Sequence, residues 1–443
     1  MDEFAGARIA GVYTTRQGRV LAPRSGFSVA MEALKGALDD AGMTLDEIDG
    51  FGSNVSGYPA WDAYWAHQLK RDWKWCGSGI AIPSLLEAAR LITTGYLNAA
   101  VIVFASVRPT NTAVPPWAES HSQWTGWAGS LPDQPVQFGL VARRYVHEVG
   151  PRAIDAMGEI AATIRNYGHI NPDAVYFGRG PFTAEEVLNS RYVADPLTLL
   201  MCSSVTDGGC AIVLAKKERA AEGPKKPIGI VTGAALTNYP AYQEPPTLDG
   251  YYESAGHYRA TMARAGVSAQ DIDVVEFYDH FASHDLMQFE QFGFCGKGEG
   301  PDFVLSGAAN LDGRFPTCTD GGNLSFSHPG FPIVFRYVEA VRQLRGEAKD
   351  LCPGWATGDH TYDPAICRSV KDAHLAFVSC PGTPTLQGSM LVFGGTVRAG
   401  RPKPAVRVTR SGGPARLTGH DAKPASGLRT SLEPFQECTP APA

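Results

Sequence analysis

Residues 41–49 read AGMTLDEID, and residues 265–273 read AGVSAQDID. Each copy follows an amphipathic stretch with helical spacing (29–40 and 253–264), offers a Thr or Ser as a cap, and then enters a strand-like segment. Because both copies occupy the same point of a helix–strand alternation, we predict a chain built from two similar α/β halves. Such halves imply packed parallel sheets with helices outside.

A second pair of segments supports the duplication. A glycine turn leads into an apolar strand at residues 206–215, and another leads into residues 388–393. Residues 110–190 have no counterpart in the second half and are rich in Trp, Pro and polar side chains, which predicts an inserted loop region with its own helices. The predicted domains are an N-terminal half (1–225) carrying this insertion, a C-terminal half (226–397) and an extended or disordered Pro/Gly-rich basic tail (398–443).

The composition is that of an ordinary globular protein, with 443 residues, 44% hydrophobic and 19% charged. A net charge of −6 gives no reason to expect nucleic-acid binding. Nine cysteines without a CxxC pair indicate reduced thiols in the cytoplasm. The histidines form no metal-ligand pattern, the N-terminus is no signal peptide, and no apolar run could span a bilayer. We therefore expect neither a metal site nor a membrane segment.

The strongest catalytic signal is residues 75–79, WCGSG, directly before a predicted helix. A thiol at a glycine turn that feeds a helix meets free backbone N–H groups and the positive end of the helix dipole, which both favour the thiolate. Cys76 is therefore the candidate nucleophile, with Gly77 and Gly79 forming the turn and its oxyanion-binding backbone. The alternative is that Cys76 is a small buried residue, as most intracellular cysteines are.

Two further segments carry candidate acid–base groups. Gly321 and Gly322 make a turn before His328, which lies just ahead of a predicted helix and could act as a base or an oxyanion donor. Cys380 turns out of a predicted strand together with Gly382. The alternatives are a surface-loop histidine and a small buried cysteine.

Tyr278, Asp279 and His280 end the second repeated strand, where ionisable side chains are expected to face a ligand crevice. On an extended strand, Tyr278 and His280 would share one face and Asp279 would take the other.

Aromatic side chains crowd the sequence around the candidate nucleophile and within the insertion. They are either core residues or the lining of a pocket for a bulky aromatic or polycyclic group. They are Trp61, Tyr64, Trp65, Trp73, Trp75, Trp117, Trp124 and Trp127.

Over residues 5–397 these segments, in their order and spacing, resemble the thiolase superfamily, in particular the sterol carrier protein thiolases and the bacterial thiolase-like lipid-transfer proteins. The Cys76 motif resembles the family's nucleophile motif, His328 its His-Pro loop, and Cys380 its second cysteine. The resemblance implies the duplicated thiolase fold, layered α-β-α-β-α. Similarity to the lipid-transfer branch is carried by residues 188–196, 205–209 and 291–300.

The resemblance also implies a reaction. Cys76 would attack a carbonyl and become acylated, His328 would activate it, and Cys380 would move the proton on the carbon whose C–C bond breaks or forms. The implied activity is a CoA-dependent thiolase or acyltransferase acting on a β-keto acyl-CoA, with coenzyme A as co-substrate. A homodimeric core and a small OB-fold, zinc-ribbon partner protein are implied as well.

Residues 383–388, which follow Cys380, depart from the family's usual glycine run, and a second motif departs from the family pattern as well. Degradative thiolases carry Asn-Glu-Ala-Phe, and sterol carrier thiolases His-Asp-Cys-Phe, where this chain has residues 278–281, YDHF. A Tyr-Asp start is similar to thiolase-like aldolases, which cleave steroid side chains by retro-aldol chemistry and generally lack the nucleophilic cysteine. This chain keeps that cysteine, so the sequence favours a thiolase or acyltransferase using Cys76. The alternatives are a lyase using Tyr278 on a β-hydroxy acyl-CoA and a non-catalytic acyl-CoA or lipid-binding protein.

Overall fold

The structure is a computed structural model. It describes residues 3–58, 62–77, 81–107, 134–236, 248, 250–330, 332–351, 362–381 and 388–394. The predicted tail lies outside the described residues.

The elements alternate between helices and strands along most of the chain. The helices are α1 (Gly26–Ala41), α2 (Asp62–Leu69), α3 (Ala81–Thr93), α4 (Gln134–Val149), α5 (Arg152–Ile170), α6 (Ala184–Leu188), α7 (Lys217–Ala221), α8 (Ala255–Arg264), α9 (Ala282–Gln291), α10 (Gly300–Leu305) and α11 (Ile333–Arg345). The strands are β1 (Ala7–Thr14), β2 (Gly50–Val55), β3 (Trp75–Gly77), β4 (Ala99–Ser106), β5 (Tyr192–Ala194), β6 (Leu197–Thr198), β7 (Gly208–Lys216), β8 (Ile228–Ala235), β9 (Val274–Glu276), β10 (Leu375–Pro381) and β11 (Gly388–Gly394).

Nine strands form one sheet in the order β3-β2-β4-β7-β1-β8-β11-β10-β9. The prediction of parallel sheets is wrong in part, because the sheet is mixed. Strand β2 runs parallel to β3 and β4, and β9 runs parallel to β10, but β7 is antiparallel to both of its neighbours and so is β11. The order β2-β4-β7-β1 in the first half is mirrored by β8-β11-β10-β9 in the second. The expected boundary at residue 225 falls just before β8 and stays a prediction.

The repeated segment folds in the same way in both copies. Each forms a single 3₁₀ turn, Leu45–Glu47 and Ala269–Asp271, and each turn leads into a strand. The carboxylate of Asp49 accepts the first backbone N–H of β4 at 3.1 Å, and that of Asp273 accepts the first N–H of β10 at 3.0 Å. In both halves, therefore, the last residue of the repeat fixes the start of the neighbouring parallel strand.

Side-chain alternation along the strands divides the core into layers. In β4, Ile102 and Phe104 face a central cluster around α3 and α11, whereas Val103 faces the outer cluster under α1. In β10, Val378 faces the same central cluster and Phe377 the cluster around α9. The two ends of the sheet thus enclose α3 and α11, and further helices cover both outer faces, which is the α-β-α-β-α arrangement of the thiolase fold.

Within the predicted insertion, the described part is helical and includes α4, α5 and α6. Helix α5 packs against α9 and against the π-helical turn Gly322–Phe326. Helix α9 is buried at all ten of its positions. Within the described ranges, no helix has the length and apolar character needed to cross a membrane.

Candidate active site

Tyr278 and His328 are joined by a hydrogen bond of 2.9 Å between the phenol Oη and the imidazole Nε2. Strand β9 ends at Glu276, so Tyr278 lies in the loop that leaves the sheet and not in an extended strand. His328 follows the π-helical turn and pairs through its backbone with Val205. Because Tyr278 is buried and His328 is partly exposed, the pair leads from the core to the protein surface.

The surroundings of Tyr278 keep its phenol protonated. Burial raises the pKa of Tyr278 well above its ordinary value, and the neighbouring Cys380 and Asp279 raise it further. A protonated phenol can donate to the Nε2 of a neutral imidazole. The Tyr278–His328 bond is therefore suited to pass a proton.

His280 lies beside this pair. Its Nδ1 is 3.2 Å from the backbone carbonyl of Tyr278, and since a carbonyl only accepts, Nδ1 carries the hydrogen. The ring centres of His280 and Tyr278 are 4.7 Å apart, and the rings of His280 and His328 are nearly parallel at 6.4 Å. Burial lowers the pKa of His280 well below its ordinary value, and His284 and His328 lower it further. His280 is thus a neutral imidazole that holds the Tyr278 backbone.

Asp279 faces away from Tyr278 and His280, towards the π-helical turn. Its carboxylate accepts the backbone N–H groups of Asn323 (2.7 Å) and Leu324 (3.2 Å). Gly321 and Gly322 have φ of +109° and +60°, and a Cβ on Gly322 would lie 1.9 Å from Asp279 Oδ2. The glycine pair therefore makes the turn and lets the carboxylate approach it. Burial raises the pKa of Asp279 to about 6.

A buried ionic network supports the site, and no sequence motif indicated it. The guanidinium of Arg336 donates to Asp320 through two nitrogens, each at 2.7 Å, and to Glu276 at 2.9 Å. Glu276 precedes Tyr278, Asp320 precedes the π-helical turn, and Arg336 lies on the helix that follows His328. One buried cation thus links the segment that carries Tyr278 to the π-helical turn that precedes His328.

Cys380 lies within β10, which runs to Pro381, so the prediction that it turns out of the strand is wrong. Its side chain belongs to the central cluster, as does that of Tyr278. Burial raises the pKa of Cys380, which keeps the thiol protonated. The neighbouring Ser379 donates to Gln288 of α9 at 2.5 Å, and the Gln288 amide lies 3.5 Å from the Tyr278 carbonyl.

Cys76 lies in the edge strand of the sheet. It is a residue of β3, paired in register with Phe51, and the described part of α3 begins only at Ala81. Trp75 packs in the central cluster and Phe51 in the outer one, so alternation puts Cys76 on the outer face of the sheet. A Cβ on Gly77 would lie 2.3 Å from the Trp75 ring. Cys76 therefore lies in a strand and not in the described part of the helix, and the roles of Cys76 as nucleophile and of Gly77 in an oxyanion turn stay predictions.

Gly79 and Gly382 lie outside the described residues, as do Trp61, Trp117, Trp124 and Trp127. Among the described aromatic residues, Trp65 and Trp73 pack on Phe51, with ring centres 5.4 and 5.1 Å apart. Tyr64 meets the edge of Trp65 at 5.4 Å. Trp65 belongs to the outer cluster, and Tyr64 and Trp73 pack against it.

Comparison with known proteins agrees with this architecture. Residues 235–353 match the family model "Thiolase C-terminal domain-like". The chain is 32% identical over 341 residues to 17-hydroxy-3-oxo-4-pregnene-20-carboxyl-CoA lyase of Mycobacterium tuberculosis, covering 73% of this chain and 87% of the relative. It is 29% identical over 368 residues to the benzoylsuccinyl-CoA thiolase subunit BbsB of Thauera aromatica, covering 78% and 90%.

The solved structure of an Ltp2-ChsH2(DUF35) aldolase superimposes with a TM-score of 0.74 at 28% identity, covering 88% of this chain and 98% of that one. The chain belongs to the thiolase superfamily. Within the superfamily, the chain belongs to the SCP2-thiolase branch. The two relatives described above, a lyase and a thiolase subunit, are both named for CoA compounds.

Proposed function

We propose that this protein is a thiolase-like lyase that cleaves a β-hydroxy acyl-CoA by a retro-aldol reaction. The observation that carries the proposal is the 2.9 Å bond between Tyr278 and His328, next to a protonated Cys380. The position of Cys76 on the outer face of the sheet also favours a reaction that needs no acyl-cysteine.

The reaction balances without a further reactant. The β-hydroxyl loses its proton, its oxygen forms a carbonyl, and the bond between the α- and β-carbons breaks. The electron pair of that bond passes into the enolate of the thioester, and the α-carbon then takes up one proton. The products are a ketone or aldehyde and a shorter acyl-CoA, and neither water nor free CoA is consumed.

Tyr278 takes the hydroxyl proton while it passes its own proton to His328. The two transfers occur together, because the raised pKa of Tyr278 disfavours a free tyrosinate. Cys380 supplies the proton to the α-carbon, since its raised pKa keeps the thiol protonated until a carbanion forms. His280 holds the Tyr278 backbone through its Nδ1–H.

The relatives support a polycyclic substrate and a protein partner. The name of the Mycobacterium tuberculosis relative describes a steroid with a 17-hydroxyl and a 20-carboxyl-CoA, which places the hydroxyl β to the thioester carbonyl. The name of the solved aldolase joins two proteins, Ltp2 and ChsH2(DUF35). We extend both features to this chain: a bulky, polycyclic β-hydroxy acyl-CoA as substrate and a separate small partner, with a homodimeric core.

The second candidate is the CoA-dependent thiolase. It is favoured by the similarity to a benzoylsuccinyl-CoA thiolase subunit and by the presence of both His328 and Cys380. In that reaction Cys76 would carry the acyl group and free CoA would accept it.

The two functions differ in their need for free CoA and for Cys76. The wild type and Cys76→Ala are incubated with a steroid β-hydroxy acyl-CoA in the absence of free CoA, and the products are identified by mass spectrometry. The lyase predicts a ketone and a shorter acyl-CoA at similar rates from both proteins. A β-keto acyl-CoA is tested in parallel with added CoA. Cleavage of this substrate alone, dependent on free CoA and with an acyl adduct that Cys76→Ala lacks, would reject the lyase in favour of the thiolase.

A further inference from the structure

Three guanidinium groups surround the ring of Tyr176, a half-buried residue that follows the end of α5. Their Cζ atoms lie 4.9 Å (Arg165), 5.6 Å (Arg179) and 5.7 Å (Arg19) from the ring centre. None of the three forms an ion pair with a carboxylate of the residues that the structure describes. The cluster thus carries positive charge that no ion pair of the described residues neutralises, although the charge of Asp279 acts on Arg165.

Arg165 is the buried member of this cluster. It donates to the backbone carbonyls of Leu200 (2.7 Å) and Cys202 (2.9 Å), while its Nη1 is buried without an acceptor among the described residues. Burying a guanidinium without a carboxylate is costly, and an aromatic face offsets only part of that cost. The positive charge of Arg165 therefore adds to that of Arg19 and Arg179, which are both exposed.

The cluster lies close to the candidate active site. The Tyr176 hydroxyl accepts a hydrogen bond of 3.0 Å from Ser204, and the next residue, Val205, pairs with the backbone of His328. Val205 is 55% exposed, so this edge of the site is open to solvent. A substrate whose reacting end lies at His328 can therefore extend over Val205 towards Arg19.

We propose that Arg19, Arg179 and the Tyr176 hydroxyl form a phosphate-binding subsite for the CoA part of the substrate. This inference rests on the proposed function only in that the ligand is an acyl-CoA. Guanidinium groups suit this task because their planar forks bind phosphate oxygens through two hydrogen bonds. The Tyr176 phenol supports it: burial raises its pKa, but the Ser204 bond and the Arg165 charge outweigh burial, so the pKa is lowered and the hydroxyl is a stronger donor.

Calorimetric binding of CoA tests the subsite without turnover. We expect Arg19→Gln and Arg179→Gln each to weaken CoA binding about tenfold, which corresponds to about 1.4 kcal/mol. The control is Arg90→Gln, since Arg90 is an exposed arginine paired with Glu3 and is expected to leave CoA affinity unchanged. Unchanged affinity in both Arg19→Gln and Arg179→Gln would overturn the proposal.

Two further ligands identify the phosphate and separate binding from folding. If dephospho-CoA binds to the wild type as tightly as CoA and is weakened by both variants, the diphosphate is the bound group. If it binds to the wild type about tenfold more weakly and the variants add nothing, the 3′-phosphate is the bound group. Pantetheine lacks both the diphosphate and the 3′-phosphate. If the variants weaken pantetheine binding as much as CoA binding, the defect is structural and the subsite is rejected. Because none of these measurements involves cleavage, the subsite and the proposed lyase activity can fail independently.

Discussion

The hydroxyl of Tyr278 can be removed with little change to the fold, which makes Tyr278→Phe the most direct test of the proposed proton path. The ring keeps its place in the central cluster, and the variant loses the hydrogen bond of 2.9 Å to His328. A neutral hydrogen bond contributes about 0.5–1.5 kcal/mol to stability. We therefore expect the free energy of unfolding to change by no more than about 1.5 kcal/mol.

The effect on catalysis is expected to be much larger. Proton transfer by a positioned side chain contributes about a hundredfold to ten-thousandfold in rate. The variant should lose that factor in kcat, which corresponds to about 3–5 kcal/mol in the activation barrier. KM should change little, because the phenol acts on the reacting proton and not on the bulk of the substrate.

A matched control is available in the same cluster. Tyr337 of α11 is also fully buried, and its hydroxyl has no hydrogen-bond partner among the described residues. Steady-state cleavage is measured by quantifying the shorter acyl-CoA, and stability by urea unfolding, for Tyr278→Phe and Tyr337→Phe. The reasoning is refuted if Tyr278→Phe keeps more than about a tenth of the wild-type kcat, or if Tyr337→Phe loses as much.

Three other predictions follow from the described contacts. Cys380→Ala should slow product formation about a hundredfold. The proton step is measured by deuterium uptake at the α-carbon in D₂O. A wild-type kcat in this variant would remove Cys380 from the mechanism. The folded pKa of Asp279 is about 6 and its unfolded pKa about 3.9, so the folded state holds the proton more tightly. The free energy of unfolding therefore falls by up to about 3 kcal/mol as the pH rises from about 4 to about 6. Asp279→Asn should remove that slope in urea titrations, and an unchanged slope would assign it to other groups. Arg336→Met leaves two buried carboxyl groups without their cation and should cost about 3–5 kcal/mol in urea unfolding, whereas a loss below about 1 kcal/mol would contradict the network.

The duplicated architecture could be predicted because its signal is local. Each copy of the repeat carries its own cap and its own terminal aspartate, and Asp49 and Asp273 do fix the start of the neighbouring parallel strand in each half. The direction of β7 and β11 could not be predicted in this way. Strand direction is set by pairing between residues far apart in the chain, which a local pattern does not contain.

The candidate site was predictable in part for the same reason. Tyr278, His328 and Cys380 were identified from motifs, and the structure brings Tyr278 into contact with His328 and places Cys380 in the same cluster. The strand position of Cys76 could not be predicted, because its glycine-rich context is equally compatible with a turn and with a strand end, and its pairing with Phe51 decides the face. Its catalytic role stays a prediction. Arg336 was missed since a single arginine on an amphipathic helix gives no sign of two buried carboxylate partners.

Helix α9 has a consequence for how the chain is made. All ten of its residues are buried, and burial raises the pKa of Asp285, whose carboxyl has no hydrogen-bond partner among the described residues, so this helix carries a neutral acid into the interior. Its cover, α5, lies earlier in the chain and leaves the ribosome first. Since domains fold from the N-terminus during synthesis, the covering layer is present when α9 emerges. A circular permutant that begins with the second half would expose α9 before its cover exists and is expected to aggregate during translation.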